Sequence, residues 1–125
     1  MQKILIVEDN VDLLVVLKEV LSRDYEVVTA RRGEDAVTLA RTYHPDLVIL
    51  DLQLPAMDGI EAGRWIKREV DNVPILVLTA LAGKGEPEAI LASGCCDAYM
   101  AKPAPLEAIR ARVVELLESG ARAHG

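Results

Sequence analysis

Short apolar runs and longer segments of helical spacing alternate along the whole chain. KILIV at residues 3–7 is followed by a stretch at 11–21 that carries Leu14, Leu17 and Leu21 on one stripe. YEVVTA at 25–30 precedes a segment in which Ala36, Leu39, Ala40 and Tyr43 recur at helical intervals, the expected buried face. Pro45 stops that helix. DLVIL at 46–50 leads through LQLPAMD to a helix over 59–70 with Ile60, Gly63, Ile66 and Val70 inward. VPILVLT at 73–79, the small-residue loop ALAGKGEP, a short helix near 88–93 and Gly94 come next. A modest strand at 97–101 and a helix opened by Pro105, with Leu106, Ile109, Val113 and Leu116 on one face, complete the series. Runs this short and this apolar read as buried strands. Their alternation with helices predicts an α/β fold, a parallel sheet covered on both faces.

Composition narrows this further. The chain has 125 residues, 51% of them hydrophobic, and no Phe, so the core is aliphatic. That suits strands apolar on both sides, and the length suits one domain over 1–125, with about 119–125 as a tail or the start of a linker. The net charge is −6, and the bases (Arg31/Arg32, Arg64/Lys67/Arg68, Arg110/Arg112) are scattered as on solvated helix faces. No basic patch for nucleic acid is expected. The N-terminus meets acid too soon for a signal peptide, and VPILVLTALAG is too short to span a membrane; the expected location is the cytoplasm. Adjacent Cys95 and Cys96 do not suit disulfide geometry with one another, and are expected as small buried side chains.

The polar residues fall where the runs end. Glu8, Asp9 and Asn10 follow the first, Asp51 the third, Thr79 closes the fourth, and Lys102-Pro103 follows the fifth. Open α/β sheets bind ligands beyond the carboxyl ends of their strands. Should these ends be neighbours, three carboxylates crowd together. Each pair at about 4 Å repels by roughly 4 kcal/mol at an effective dielectric near 20. Protonation or a hard cation such as Mg²⁺ relieves that. Carboxylate, metal, hydroxyl and ammonium together suit a phosphoryl group. Singly, each residue has a plainer reading: Glu8-Asp9 as a helix cap and first-turn acid, Thr79 as a strand-end hydroxyl, Lys-Pro as a turn.

In ILIVEDN, VILDLQLPAMDG, VLTA and AYMAKP, and in their spacing, the chain resembles the receiver domain of two-component response regulators, from Lys3 to about Leu117. The resemblance implies a doubly wound (βα)₅, flavodoxin-like sheet of strand order 2-1-3-4-5. It implies that Asp51 accepts a phosphoryl group from the phosphohistidine of a sensor histidine kinase or phosphotransfer protein. Glu8, Asp9, Asp51 and the backbone carbonyl of Gln53 would hold Mg²⁺. Thr79 would be the switch hydroxyl, Lys102 the ammonium on a phosphoryl oxygen, Tyr99 the aromatic that turns inward, and Ala80 the small residue that keeps the site open. The output would be read by an effector domain or protein at the surface of the last two helices and the fifth strand. The chain would then promote its own phosphorylation and its own dephosphorylation, without turning over an outside metabolite.

Departures and rivals bear on this. Ala104 stands where such domains often carry a bulky aromatic, which loosens the Lys102 loop. Gln53 and Leu81 occupy positions that influence phosphoryl lifetime. The glycines of AGKGEP make a hinge, and Pro55 and Asp58-Gly59 shape the loop after Asp51, where Gly59 can adopt a conformation other residues resist. A haloacid-dehalogenase-like phosphatase needs a second acid at the position of Gln53. A mononucleotide binder needs a phosphate-cradling loop where VEDN stands. A phosphorylation-independent interaction module would not need the full polar set. Self-association through the last helices stays open, although their apolar stripe is first expected to be core.

Overall fold

The computed structural model describes residues 1–80 and 86–124. Its elements run β1 (Lys3–Val7), α1 (Val11–Leu21), β2 (Glu26–Ala30), α2 (Gly33–Tyr43), β3 (Leu47–Leu50), α3 (Gly59–Glu69), β4 (Ile75–Thr79), α4 (Glu86–Ala92), β5 (Ala98–Ala101) and α5 (Leu106–His124). The strands form one parallel sheet in the order β2-β1-β3-β4-β5. The chain therefore starts near the middle, winds to one edge, returns past β1 and winds to the other. That reversal lies between β1 and β3, where an open α/β sheet binds its ligands.

Alternate side chains of each central strand enter opposite cores. On one face Leu5, Val7, Val48, Leu50, Ile75 and Val77 meet Ala36 and Ala40 of α2, Ile66 of α3 and Ile90 of α4. On the other, Ile4, Ile6, Leu47, Ile49, Leu76 and Leu78 meet Leu14, Leu17 and Leu21 of α1 and Ile109, Val113 and Leu116 of α5. Ordinary core is thus what most of the α5 stripe forms. The edge strands are less covered: Glu26 of β2 and Ala101 of β5 face solvent.

Several boundaries differ from those the hydrophobic pattern suggests. Tyr25 is bound into the turn that ends α1, its N–H donating to Leu21 O at 3.0 Å, so β2 begins one residue later. Asp46 stays outside β3 because its carboxylate accepts the Lys3 N–H at 2.7 Å, closing the start of the sheet. Asp97 does the same beside β4 and β5. Its Oδ2 accepts the Ile75 N–H at 2.8 Å and also pairs with Lys67, whose ammonium reaches the Val73 carbonyl at 2.6 Å. Lys67 is consequently a structural cation rather than part of a solvated face. Tyr43 is 40% exposed instead of buried; the buried positions of α2 are the small residues Gly33, Ala36 and Ala40. The helix then ends at His44 in the left-handed region (φ 48°), turned out ahead of Pro45. α4 starts at Glu86, and α5 continues through residues 119–124. Leu81 and the glycines of the expected hinge lie outside the described residues.

Cys95 and Cys96 are buried and free, as their composition suggests. The Cys95 sulfur beside it, and burial, hold the Cys96 thiol above its ordinary range. Gly63 lets α3 approach this corner, since a Cβ there would sit 2.5 Å from the Cys95 carbonyl oxygen. Among the described residues, no helix is long and apolar enough to cross a membrane.

Ile66 is fully buried and joins α3 to the sheet. Ile66→Ala should cost about 2–5 kcal/mol through lost burial and the cavity left behind. Urea unfolding should show a lower midpoint with an unchanged slope.

Candidate functional site

Parallel register brings the polar residues together. Val7 pairs with Ala30 on one side and Leu50 on the other, and Thr79 pairs with Ala101. The ladder runs one step past the strands: Glu8 N–H donates to Ala30 O at 3.0 Å, Asp51 N–H to Val7 O at 3.0 Å, and Lys102 N–H to Thr79 O at 2.9 Å. Glu8, Asp51, Thr79 and Lys102 are therefore set by sheet hydrogen bonds at the carboxyl ends of β1, β3, β4 and β5. Glu8, Asp51 and Thr79 are the buried polar side chains among the described residues, at 3%, 4% and 0% exposure.

Two buried carboxylates need compensation, and Lys102 supplies it. Its ammonium lies 2.6 Å from Glu8 Oε1 and 3.0 Å from Asp51 Oδ2. Burial works against the charged ammonium, but the two carboxylates outweigh it and hold the Lys102 pKa above the ordinary lysine value. Burial pushes the Glu8 carboxyl up; the Lys102 contact and the Asn10 N–H oppose that, and the Asp51 charge adds to it. The second oxygens are held by backbone: Asp51 Oδ1 accepts the Gln53 N–H at 3.1 Å, and Glu8 Oε2 accepts the Asn10 N–H at 3.1 Å. Helix capping falls to neither acid. Asn10 caps α1, its side chain accepting the Leu13 N–H at 3.2 Å.

Asp9 is placed differently. Its side chain is half-exposed and lies 3.7 Å from the Arg31 guanidinium, at the start of the β2–α2 connection. Among the described residues no three acidic, histidine or cysteine groups converge closely enough to cage an ion as they stand. The donor chemistry nonetheless fits Mg²⁺. Glu8, Asp9 and Asp51 are hard oxygen donors on adjoining strand ends, with Gln53 two residues on, and Mg²⁺ keeps several waters instead of requiring an all-protein cage.

The loop after Asp51 is shaped by close approach. A Cβ on Gly59 would lie 2.3 Å from Leu52 Cα, so glycine is needed there to let α3 begin against the loop, and its backbone conformation is not the reason. The Asp58 carboxylate caps α3 through the Ile60 N–H at 3.0 Å. Ala56 takes the left-handed conformation (φ 69°) and turns Met57 back, where it packs against Gly33 of α2.

Tyr99 is half-buried on β5 and packs against the cluster that contains Ile90 of α4. Ala80 is exposed. Beside Lys102, an apolar cavity of about 380 Å³ is lined by Leu13, Leu78, Ala80, Pro103, Ala104 and Ile109. Ala104 borders this space and packs against the core cluster that holds Leu78 and Ile109. Arg31, expected as one of the scattered solvated bases, lies beside Asp9, a position that follows from the β2–β1 pairing and that no motif announces. A larger hollow of about 490 Å³ lies at the opposite end of the sheet, among residues such as Gln2, Pro45 and Asn72. Two of the acids there are already engaged, Asp46 by the Lys3 N–H and Glu69 by Arg41.

Three comparisons with known proteins agree with this geometry. The family model of the response regulator receiver domain matches residues 4–114. The polar-differentiation response regulator DivK of Brucella ovis is 38% identical over 105 residues, covering 82% of this chain and 85% of its own length. A CheY-like receiver domain from Methanospirillum hungatei superposes with a TM-score of 0.92 over 98% of each chain, at 23% identity, a likeness of fold. The receiver domain of a sensor histidine kinase from Pseudomonas aeruginosa, described with a magnesium ion coordinated in its active-site cleft, has a TM-score of 0.83 and 33% identity. That match covers 94% of this chain and 98% of the other.

The cation and the acid of the buried cluster should respond differently to substitution. Lys102→Met leaves two carboxylates without their cation and should destabilise the fold by about 3–5 kcal/mol. Asp51→Asn removes one of two like charges and should leave stability unchanged or higher. Urea unfolding of both variants at neutral pH checks the signs.

Proposed function

The chain belongs to the response regulator receiver domain family, and on that premise we propose that it is a phosphoryl-accepting signalling switch in which Asp51 is the acceptor. The observation that carries this reading is the buried pair of Glu8 and Asp51 held by one ammonium at the end of the sheet's central strands. An Asp51 carboxylate oxygen attacks the phosphorus of a phosphohistidine on a sensor kinase or phosphotransfer protein. The new O–P bond forms as the N–P bond breaks, and the imidazole leaves. Lys102 moves its charge from the two carboxylates onto a phosphoryl oxygen, and Thr79 offers its hydroxyl to another. Glu8, Asp9, Asp51 and the Gln53 carbonyl would hold Mg²⁺, which when bound offsets the charge of the acids and of the transferred group.

The proposed switch centres on Thr79, buried at the end of β4. Drawing its side chain toward the phosphoryl group changes the packing next to β5, where the half-buried Tyr99 has an apolar ring and a polar tip to relocate. Phosphorylation then favours one of two arrangements already accessible to the chain. The readout surface is α4, β5 and α5, and its reader is an effector domain or protein. Residues 1–125 act as one receiver domain, in the cytoplasm, without direct contact with nucleic acid. The last helices remain a candidate surface for a homodimer, with Val114 of α5 exposed.

Incubation with Mg²⁺ and acetyl phosphate should add the mass of one phosphoryl group to the wild type and none to Asp51→Asn. No adduct on the wild type would overturn the reading. Separately, Mg²⁺ titration should shift the backbone amide NMR signals of Asp9 and Asp51 in the unphosphorylated protein. Unmoved signals there would overturn the metal assignment.

A further inference from the structure

Every carboxylate of the site faces a cation supplied by the chain. Lys102 serves Glu8 and Asp51 together. Asp9 is served by Arg31, and twice over: the guanidinium lies 3.7 Å from Asp9 Oδ1 and donates to the Asp9 backbone carbonyl at 3.4 Å. The contact is built by the sheet. Because Glu8 N–H bonds Ala30 O, the residue after Ala30 runs beside Asp9. The neighbouring Arg32 turns elsewhere, to Glu34 at 3.3 Å. Arg31 thus touches a proposed metal ligand without contributing a donor atom.

We propose that Arg31 is a positioning residue that competes with Mg²⁺ for Asp9, lowering the affinity of the site for the divalent cation. The inference rests on the metal reading given above. A guanidinium beside Asp9 acts in two ways. It holds the carboxylate toward the β2–α2 connection, and its positive charge repels an incoming divalent ion. Both side chains are about half exposed, at 56% and 50%. The competition is therefore that of a surface ion pair: modest in size, sensitive to salt and easily exchanged. Ion binding releases the guanidinium at the rim of the cleft, where it faces solvent.

The test is isothermal titration of the full chain with MgCl₂, at low and at high ionic strength, for the wild type, Arg31→Gln, Arg31→Lys, Arg32→Gln and Asp9→Asn. Arg31→Gln should bind Mg²⁺ roughly two- to fivefold more tightly at low salt, the range an exposed ion pair supports. That gain should shrink at high salt. Arg31→Lys, which keeps the charge, should stay near the wild type. Arg32→Gln should change affinity less than Arg31→Gln. In the wild type, the side-chain Nε–H NMR signal of Arg31 should shift as Mg²⁺ is added. An unchanged or weaker affinity in Arg31→Gln, or an equal gain in Arg32→Gln, overturns the proposal. If that happens while Asp9→Asn still weakens binding, the metal reading survives and the role of Arg31 alone fails. A wild type that binds no Mg²⁺, or an Asp9→Asn variant that binds as well as the wild type, overturns both.

Discussion

Two carboxylates buried at the ends of apolar strands can both stay charged only if a cation lies between them. Removing a charge from water costs several kcal/mol in a protein interior, and a pair of like charges adds repulsion to that cost. Lys102 meets the requirement by bridging Glu8 and Asp51. Its position depends on a strand far along the chain: the Lys102 backbone is tied to the Thr79 carbonyl only because β5 lies beside β4. The clamp thus makes the order of the sheet and the electrostatics of the site one problem.

The rest of the fold keeps that clamp rigid at its base and adjustable at its rim. Aliphatic residues fill both faces of β1, β3 and β4, so the strand ends have little freedom. The small residues of α2, and Gly63 of α3, bring helices close enough to seal one face. Gly59 does similar work beside Leu52, fixing where the loop after Asp51 turns. Around this frame the groups that would respond to a ligand are less enclosed. Asp9 and Arg31 are half exposed, Tyr99 is half-buried at an edge strand, and Ala104 borders open space beside Lys102. A site built this way changes its charge without unfolding its support.

Much of this was legible along the chain. Helix and strand alternation, the aliphatic core and the buried cysteines follow from spacing and residue type, and the polar strand ends stood out because each apolar run stopped at one. Where the pattern misled, a tertiary contact had replaced the local rule. Tyr43 shares a helical stripe with Ala36 and Ala40, yet the buried positions of that helix are its small residues and Tyr43 is exposed. Lys67 looks like one more surface base, but a carboxylate and a backbone carbonyl capture it at the foot of the sheet. Gly59 suggests a special backbone conformation, and the structure shows a steric reason instead.

By itself the sequence determined that strands of one period alternate with helices of another, and that acids, a hydroxyl and a lysine terminate those strands. These are local properties, carried by the spacing of apolar side chains and by single residue types. Which strands are neighbours is not local, because the pairing energy of β1 with β2 and β3 depends on surfaces that exist only after the helices have docked. The resemblance of the motifs to a family implies that order; spacing alone leaves it open. Only the tertiary structure decided that one ammonium serves Glu8 and Asp51 while Asp9 turns to Arg31. Those choices depend on distances between residues up to 94 positions apart, and distance through space is the quantity that electrostatic interaction reads.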